Sequence, residues 1–89
     1  MKHVSIHVAG RVQGVFFRAS TLEKAAEFKI KGIVRNNRDG SVSINAEGEE
    51  EALRQFIEWC KVGPRLAHVT QCEIKEEPLQ NFKTFSIER

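Results

Sequence analysis

The chain has no tyrosine, only two cysteines among its 89 residues, and almost no excess of either charge: 14 lysines and arginines stand against 12 acids. Each shortage excludes something. A net charge of +2 is too small to argue for a polyanion partner, because nucleic-acid binders concentrate a much larger excess on one face. Without tyrosine, and with Ser5, His7, Ser41, Ser43 and Asn45 at outward strand positions, the chain offers poor stacking platforms for RNA bases. Cys60 and Cys72 lack a CxxC spacing, so two reduced thiols are favoured over a metal pair or a disulfide. No segment approaches the roughly 18 continuous apolar residues of a membrane span, and Met1-Lys2-His3 leads directly into alternating residues without an apolar leader. The expectation is a cytoplasmic protein with neither membrane nor nucleic acid as partner.

What remains is an ordinary globular composition, 40% hydrophobic and 29% charged, long enough for one modest core. One domain over residues 1–89 is expected, and the small size and mixed surface favour a monomer. Val4, Ile6 and Val8 alternate with polar neighbours as a half-buried strand does. Leu22, Ala25 and Ala26 then recur at helical spacing, with Gly32 as the expected stop. Ile33-Val34 and Val42/Ile44 flank the turn signal Asn37-Arg38-Asp39-Gly40, which predicts a hairpin. Glu49-Glu50-Glu51 precede an amphipathic stripe of Ala52, Leu53, Phe56, Ile57 and Cys60, a second helix with acids at its positive end, closed by Gly63-Pro64. Val69, Cys72 and Ile74 suggest a fourth strand; Phe82, Phe85 and Ile87 mark a short extra C-terminal strand.

The order βαββαβ defines an α+β class, the split βαβ sandwich of ferredoxin-like folds, with an antiparallel sheet and both helices on one face. Right-handed crossover is expected to set the first strand beside the strand that follows the first helix, with the connecting loop at the rim. Such a fold hosts enzymes, RNA binders and metal carriers alike, so the loops must decide the function.

One loop stands out. Gly10-Arg11-Val12-Gln13-Gly14-Val15-Phe16-Phe17-Arg18 joins the first strand to the first helix. A glycine-bracketed turn can aim successive backbone N–H groups into one concavity, the helix adds its positive end, and Arg18 adds a permanent forked cation. That combination suits a phosphate-sized dianion. It is not a Walker loop, which requires a lysine and a hydroxyl at its end. On spacing alone, an ordinary bend with a surface arginine is the favoured explanation, and by composition alone Asn36 and Asn37 read as turn-formers ahead of Asp39-Gly40.

Taken with Gly32-Ile33-Val34-Arg35-Asn36-Asn37-Arg38-Asp39-Gly40-Ser41-Val42, the loop resembles the paired signatures of the acylphosphatases. The resemblance extends over nearly the whole chain, through Ala46-Glu47-Gly48, Phe56-Ile57-Glu58-Trp59-Cys60, Gly63-Pro64 and Phe85-Ser86-Ile87. It implies a small hydrolase that cleaves the carboxyl–phosphate bond of acyl phosphates with no metal, cofactor or covalent intermediate. It places the phosphate-binding arginine at Arg18, the loop donors within Val12, Gln13, Gly14, Val15, Phe16 and Phe17, and the water-positioning asparagine at Asn36, with Asn37 competing by adjacency. Many relatives carry an aromatic residue where Ile33 stands.

The other reactive residues have blander explanations. His3, His7 and His68 have no ligand-like spacing and read as surface or sheet-face histidines. Phe16 and Phe17 are expected to anchor the loop in the core, though one could wall the acyl pocket. Arg11, Arg35 and Arg38 raise the local potential at most. The competing function is a non-catalytic ferredoxin-like binding module for RNA or a phospho-ligand.

Overall fold

The computed structural model describes residues 1–88. Its elements are β1 (Lys2–Arg11), α1 (Phe17–Phe28), β2 (Lys31–Asn36), β3 (Val42–Gly48), α2 (Glu50–Cys60), β4 (His68–Glu77) and β5 (Phe85–Glu88). The sheet runs in the order β4-β1-β3-β2-β5. The first four strands pair antiparallel, while β5 joins β2 in parallel, so the complete sheet is mixed.

This order corrects one expectation. β1 and β2 are not neighbours; β3 lies between them, pairing Val8 with Val42 on one side and Asn36 with Val42 on the other. Crossover handedness fixes on which face α1 packs, and it leaves open whether the returning strand skips a place. Here the skipped place is filled by the second arm of the hairpin.

Alternation in the strands decides what the helices cover. Val4, Ile6 and Val8 of β1, Val34 of β2, and Val42, Ile44 and Ala46 of β3 are buried together with Leu53, Phe56 and Cys60 of α2. Helix α1 contributes Phe17, Thr21 and Ala25, spaced by four. The expected stripe was therefore rotated: Leu22 and Ala26 are exposed and only Ala25 of that trio is buried. Phe17 sits against Trp59, with ring centroids 5.6 Å apart, which locks the start of α1 to the end of α2.

Gly32 does not stop α1. The helix ends at Lys29, which adopts φ 58°, and the N–H groups of Lys29 and Ile30 reach back to the carbonyls of Ala26 and Ala25. This is a Schellman closure with lysine in the position that usually favours glycine. Gly32 lies inside β2, where an added Cβ would stand 1.8 Å from the Asn45 carbonyl oxygen. Its role is close strand approach.

The far end of the sheet holds an arrangement that no local pattern foretold. His3 and Glu47 are both buried, on the face opposite the helices. The Glu47 carboxylate accepts the backbone N–H groups of Gln80, Asn81 and Phe82, and His3 Nδ1 lies 3.1 Å from it, close in charge but poorly aligned for a hydrogen bond. His3 Nε2 is 3.0 Å from Asn45 Oδ1, and the His3 ring meets Phe82 edge-on. Phe82 therefore belongs to the segment that caps the sheet, ahead of β5, and His3 is not a surface histidine. Burial alone would raise the Glu47 carboxyl. The N–H donors of Gln80, Phe82 and Asn81, with His3, outweigh it and hold the group below the usual carboxylate range.

Candidate active site

Strand β1 delivers the chain to one end of the sheet, and the loop of residues 12–16 carries it into α1. Val12 and Val15 are buried beneath this loop and fix it to the core. Gly14 adopts φ 73° with open space around it, so its freedom serves the backbone path. Phe16 also adopts a left-handed conformation, φ 64°, immediately before the helix. Consequently the two phenylalanines part company: Phe17 is buried in the core, while Phe16 is 74% exposed. The expectation that both anchor the core holds only for Phe17.

Above the loop is a cleft of about 360 Å³. Val12, Gln13, Gly14, Phe16, Phe17 and Arg18 line one side, with Ala19, Asn36 and Ile87 completing it. Of the expected loop residues, Val15 is absent from the lining because its side chain points into the core. The first turn of α1 carries no acid, so the partial positive charge of its free N–H groups is not neutralised locally. Arg18 is the second residue of that turn, half-buried, and forms no ion pair among the described residues. A concavity with these donors suits a compact anion.

Asn36 reaches the same cleft from β2. Two strand spacings, about 10 Å, separate β2 from β1, and the loop spans that gap. Asn36 Oδ1 is buried and has no hydrogen-bond partner among the described residues. Its neighbour's NH₂ is engaged elsewhere: Asn37 Nδ2 donates to Ser41 Oγ at 2.9 Å and to Ser43 Oγ at 2.8 Å. Of the two adjacent asparagines, Asn36 lines the cleft and Asn37 does not.

A second device holds the two halves in register. Gln13 Nε2 donates to the carbonyls of Asn37 (2.7 Å) and Ser41 (2.9 Å), tying the anion loop to the hairpin turn. Ser41 Oγ donates to Asp39 at 2.6 Å and accepts from Asn37, so its remaining lone pair takes the Nε2–H of His7 at 2.9 Å. The Ser41 hydroxyl and N–H hold the Asp39 carboxyl below its ordinary range. Sequence reasoning placed Gln13 in the loop only as a backbone donor and missed its side chain's clamp, which depends on contacts 24 and 28 residues away.

The remaining candidates are dispersed. Arg35 faces Glu88 at 3.3 Å, and Arg11 and Arg38 are exposed. Cys60 is buried and Cys72 half-buried, both as free thiols. Among the described residues no cluster of three or more His, Cys, Asp or Glu side chains could hold a metal ion, and no helix is long and apolar enough to cross a membrane.

A ferredoxin-like α+β sandwich with a cleft at the β1–α1 junction, lined by Arg18 and Asn36, has the features of a small anion-binding domain. Comparison with known proteins agrees. The acylphosphatase family model matches residues 4–87. An acylphosphatase of Methylococcus capsulatus is 44% identical over 90 residues, covering all of this chain and 98% of the relative. One from Rubrobacter xylanophilus is 48% identical over 77 residues, covering 86% and 70%. The crystal structure of acylphosphatase from Bacillus subtilis superimposes with a TM-score of 0.97 at 41% identity, with both chains fully covered. The chain belongs to the acylphosphatase family, and its activity is that family's, the hydrolysis of acyl phosphates.

Proposed function

We propose that residues 1–89 act as one catalytic domain in which Arg18 and the loop N–H groups from Val12 to Phe17 hold the phosphoryl group and Asn36 holds the attacking water. The observation that carries this reading is the convergence of Arg18 and the uncommitted Asn36 amide on one cleft. Water held by the Asn36 side-chain amide attacks phosphorus in line. The bond from phosphorus to the carboxyl oxygen breaks, the acid leaves as a carboxylate, and a phosphate oxygen of the substrate takes the proton of the water.

The leaving group is a stable carboxylate, so no strong general acid is required. Catalysis then rests on positioning and on stabilising charge as it spreads over the phosphoryl oxygens. Arg18 and the positive end of α1 supply that charge without a metal. Two backbone conformations support the cradle: Gly14 and Phe16 are left-handed, the kind of residue from which anion nests are built.

Phosphate release from acetyl phosphate is the test, measured in excess EDTA. Turnover is expected to persist in wild type, to fall by about 10²- to 10³-fold in Asn36→Ala, and to fall in Arg18→Ala with weaker inhibition by inorganic phosphate. Loss of wild-type turnover on chelation would refute the metal-independent reading; an active Asn36→Ala would refute the role of Asn36. Action as a monomer in the cytoplasm completes this proposal, with the small size and mixed-sign surface supporting the monomer.

A further inference from the structure

The acyl half of the substrate needs its own place, and in-line geometry says on which side to look. If water sits on Asn36, the carboxylate departs from the opposite side of phosphorus. Asn36 ends β2, and Ile87 of β5 lies beyond it at the same edge of the sheet. Across the loop from Asn36, on the other side of β1, stands β4.

A groove of about 400 Å³ lies there, bounded by Val15, Phe16 and Ser20 on one side and by Pro64, Arg65 and Leu66, just ahead of β4, on the other. Phe16 is common to this groove and the anion cleft. It is the residue that links them. Two features of Phe16 oppose stability: it is 74% exposed, and it holds a left-handed φ of 64° that a residue with a Cβ adopts only at a cost. Leu66 across the groove is also exposed, at 58%. Next to it, Arg65 is exposed and forms no ion pair among the described residues.

We propose that this groove is the acyl subsite, and that it selects acyl phosphates whose acyl group is bulky and apolar beside the anhydride and anionic at its far end. The apolar part packs between Phe16 and Leu66, and Arg65 meets the distal anion. This rests on the placement of phosphate at Arg18 and water at Asn36 given above.

The experiment compares kcat/KM for acetyl, benzoyl and 4-carboxybenzoyl phosphate in wild type, Leu66→Ala and Arg65→Gln. Leu66→Ala is expected to lower the benzoyl-to-acetyl ratio about fivefold to tenfold, the scale of a few methylenes lost from a pocket. Arg65→Gln is expected to lower the carboxybenzoyl-to-benzoyl ratio about threefold, and in wild type that ratio should fall as salt is added. Ratios unchanged in both variants would overturn the subsite. Acetyl phosphate, too short to cross the groove, separates the two layers: changed ratios in Leu66→Ala alongside an active Asn36→Ala would reject the water assignment and keep the groove.

Discussion

Replacing Glu47 by glutamine keeps the shape of the side chain and removes what it does. Glu47 Oε2 accepts from Gln80 and Asn81, and Oε1 accepts from Phe82 at 2.9 Å. A glutamine can satisfy the first pair with its single oxygen, but its NH₂ then confronts the Phe82 N–H donor to donor. One charge-assisted bond is lost, at about 1.5 to 3 kcal/mol, and two become neutral; easier burial of an amide offsets part of this. The net expectation is a loss of about 2 to 3 kcal/mol, or roughly 10 to 20 °C in Tm for a domain of this size. Urea and thermal unfolding at pH 7 measure it. The pH dependence supplies a second check. Because the folded Glu47 carboxyl is depressed, its contribution is present above the unfolded carboxylate range and is lost as pH falls through the folded value. Wild type and variant should therefore converge in acid. A gap under about 0.5 kcal/mol at pH 7, or one that does not narrow with falling pH, would refute the reasoning. Glu47 stands at the opposite end of β3 from Val42, the residue paired with Asn36, so acetyl phosphate turnover of the folded variant should match wild type.

Two further outcomes are expected. Lys29→Gly relieves the left-handed residue that closes α1 and should raise stability by a few tenths to about 1 kcal/mol in urea titration, since part of the gain returns to a more flexible unfolded chain; a loss would show that the lysine side chain matters more than its backbone. Under native conditions at neutral pH, alkylation should reach Cys72 slowly and Cys60 not at all, because burial raises both thiols and Cys60 is sealed in the core; mass spectrometry showing Cys60 modified first would contradict the packing.

The parts of this molecule that sequence made legible are those governed by local period and by turn chemistry. Alternation at Val4, Ile6 and Val8, the Asp39-Gly40 turn and the acid-led stripe of α2 all appear where their patterns placed them. What escaped was long-range. His3 and Glu47 look like solvent-facing strand residues until the segment 80–82 folds over them. Phe16 and Phe17 look alike until the helix begins between them, and the left-handed turn at Phe16 sends the two rings in opposite directions. At the cleft, the presence of Arg18 in the lining was legible from its place after a glycine loop. The different surroundings of Asn36 and Asn37 were not, because they depend on Ser41 and Ser43 engaging the Asn37 amide while Asn36 lines the cleft. The strand order likewise required the structure, as the hairpin arm β3 intervenes between the two strands that build the site.

The central claim is that Asn36, and not its neighbour, holds the nucleophile. Single-turnover hydrolysis of acetyl phosphate by Asn36→Ala and Asn37→Ala, with inorganic phosphate inhibition measured in parallel, tests it most directly. The account predicts that Asn36→Ala loses about 10² to 10³ in rate while phosphate still binds as in wild type. Asn37→Ala should lose far less rate, and chiefly stability. A normal rate in Asn36→Ala, or a larger loss in folded Asn37→Ala, would contradict it.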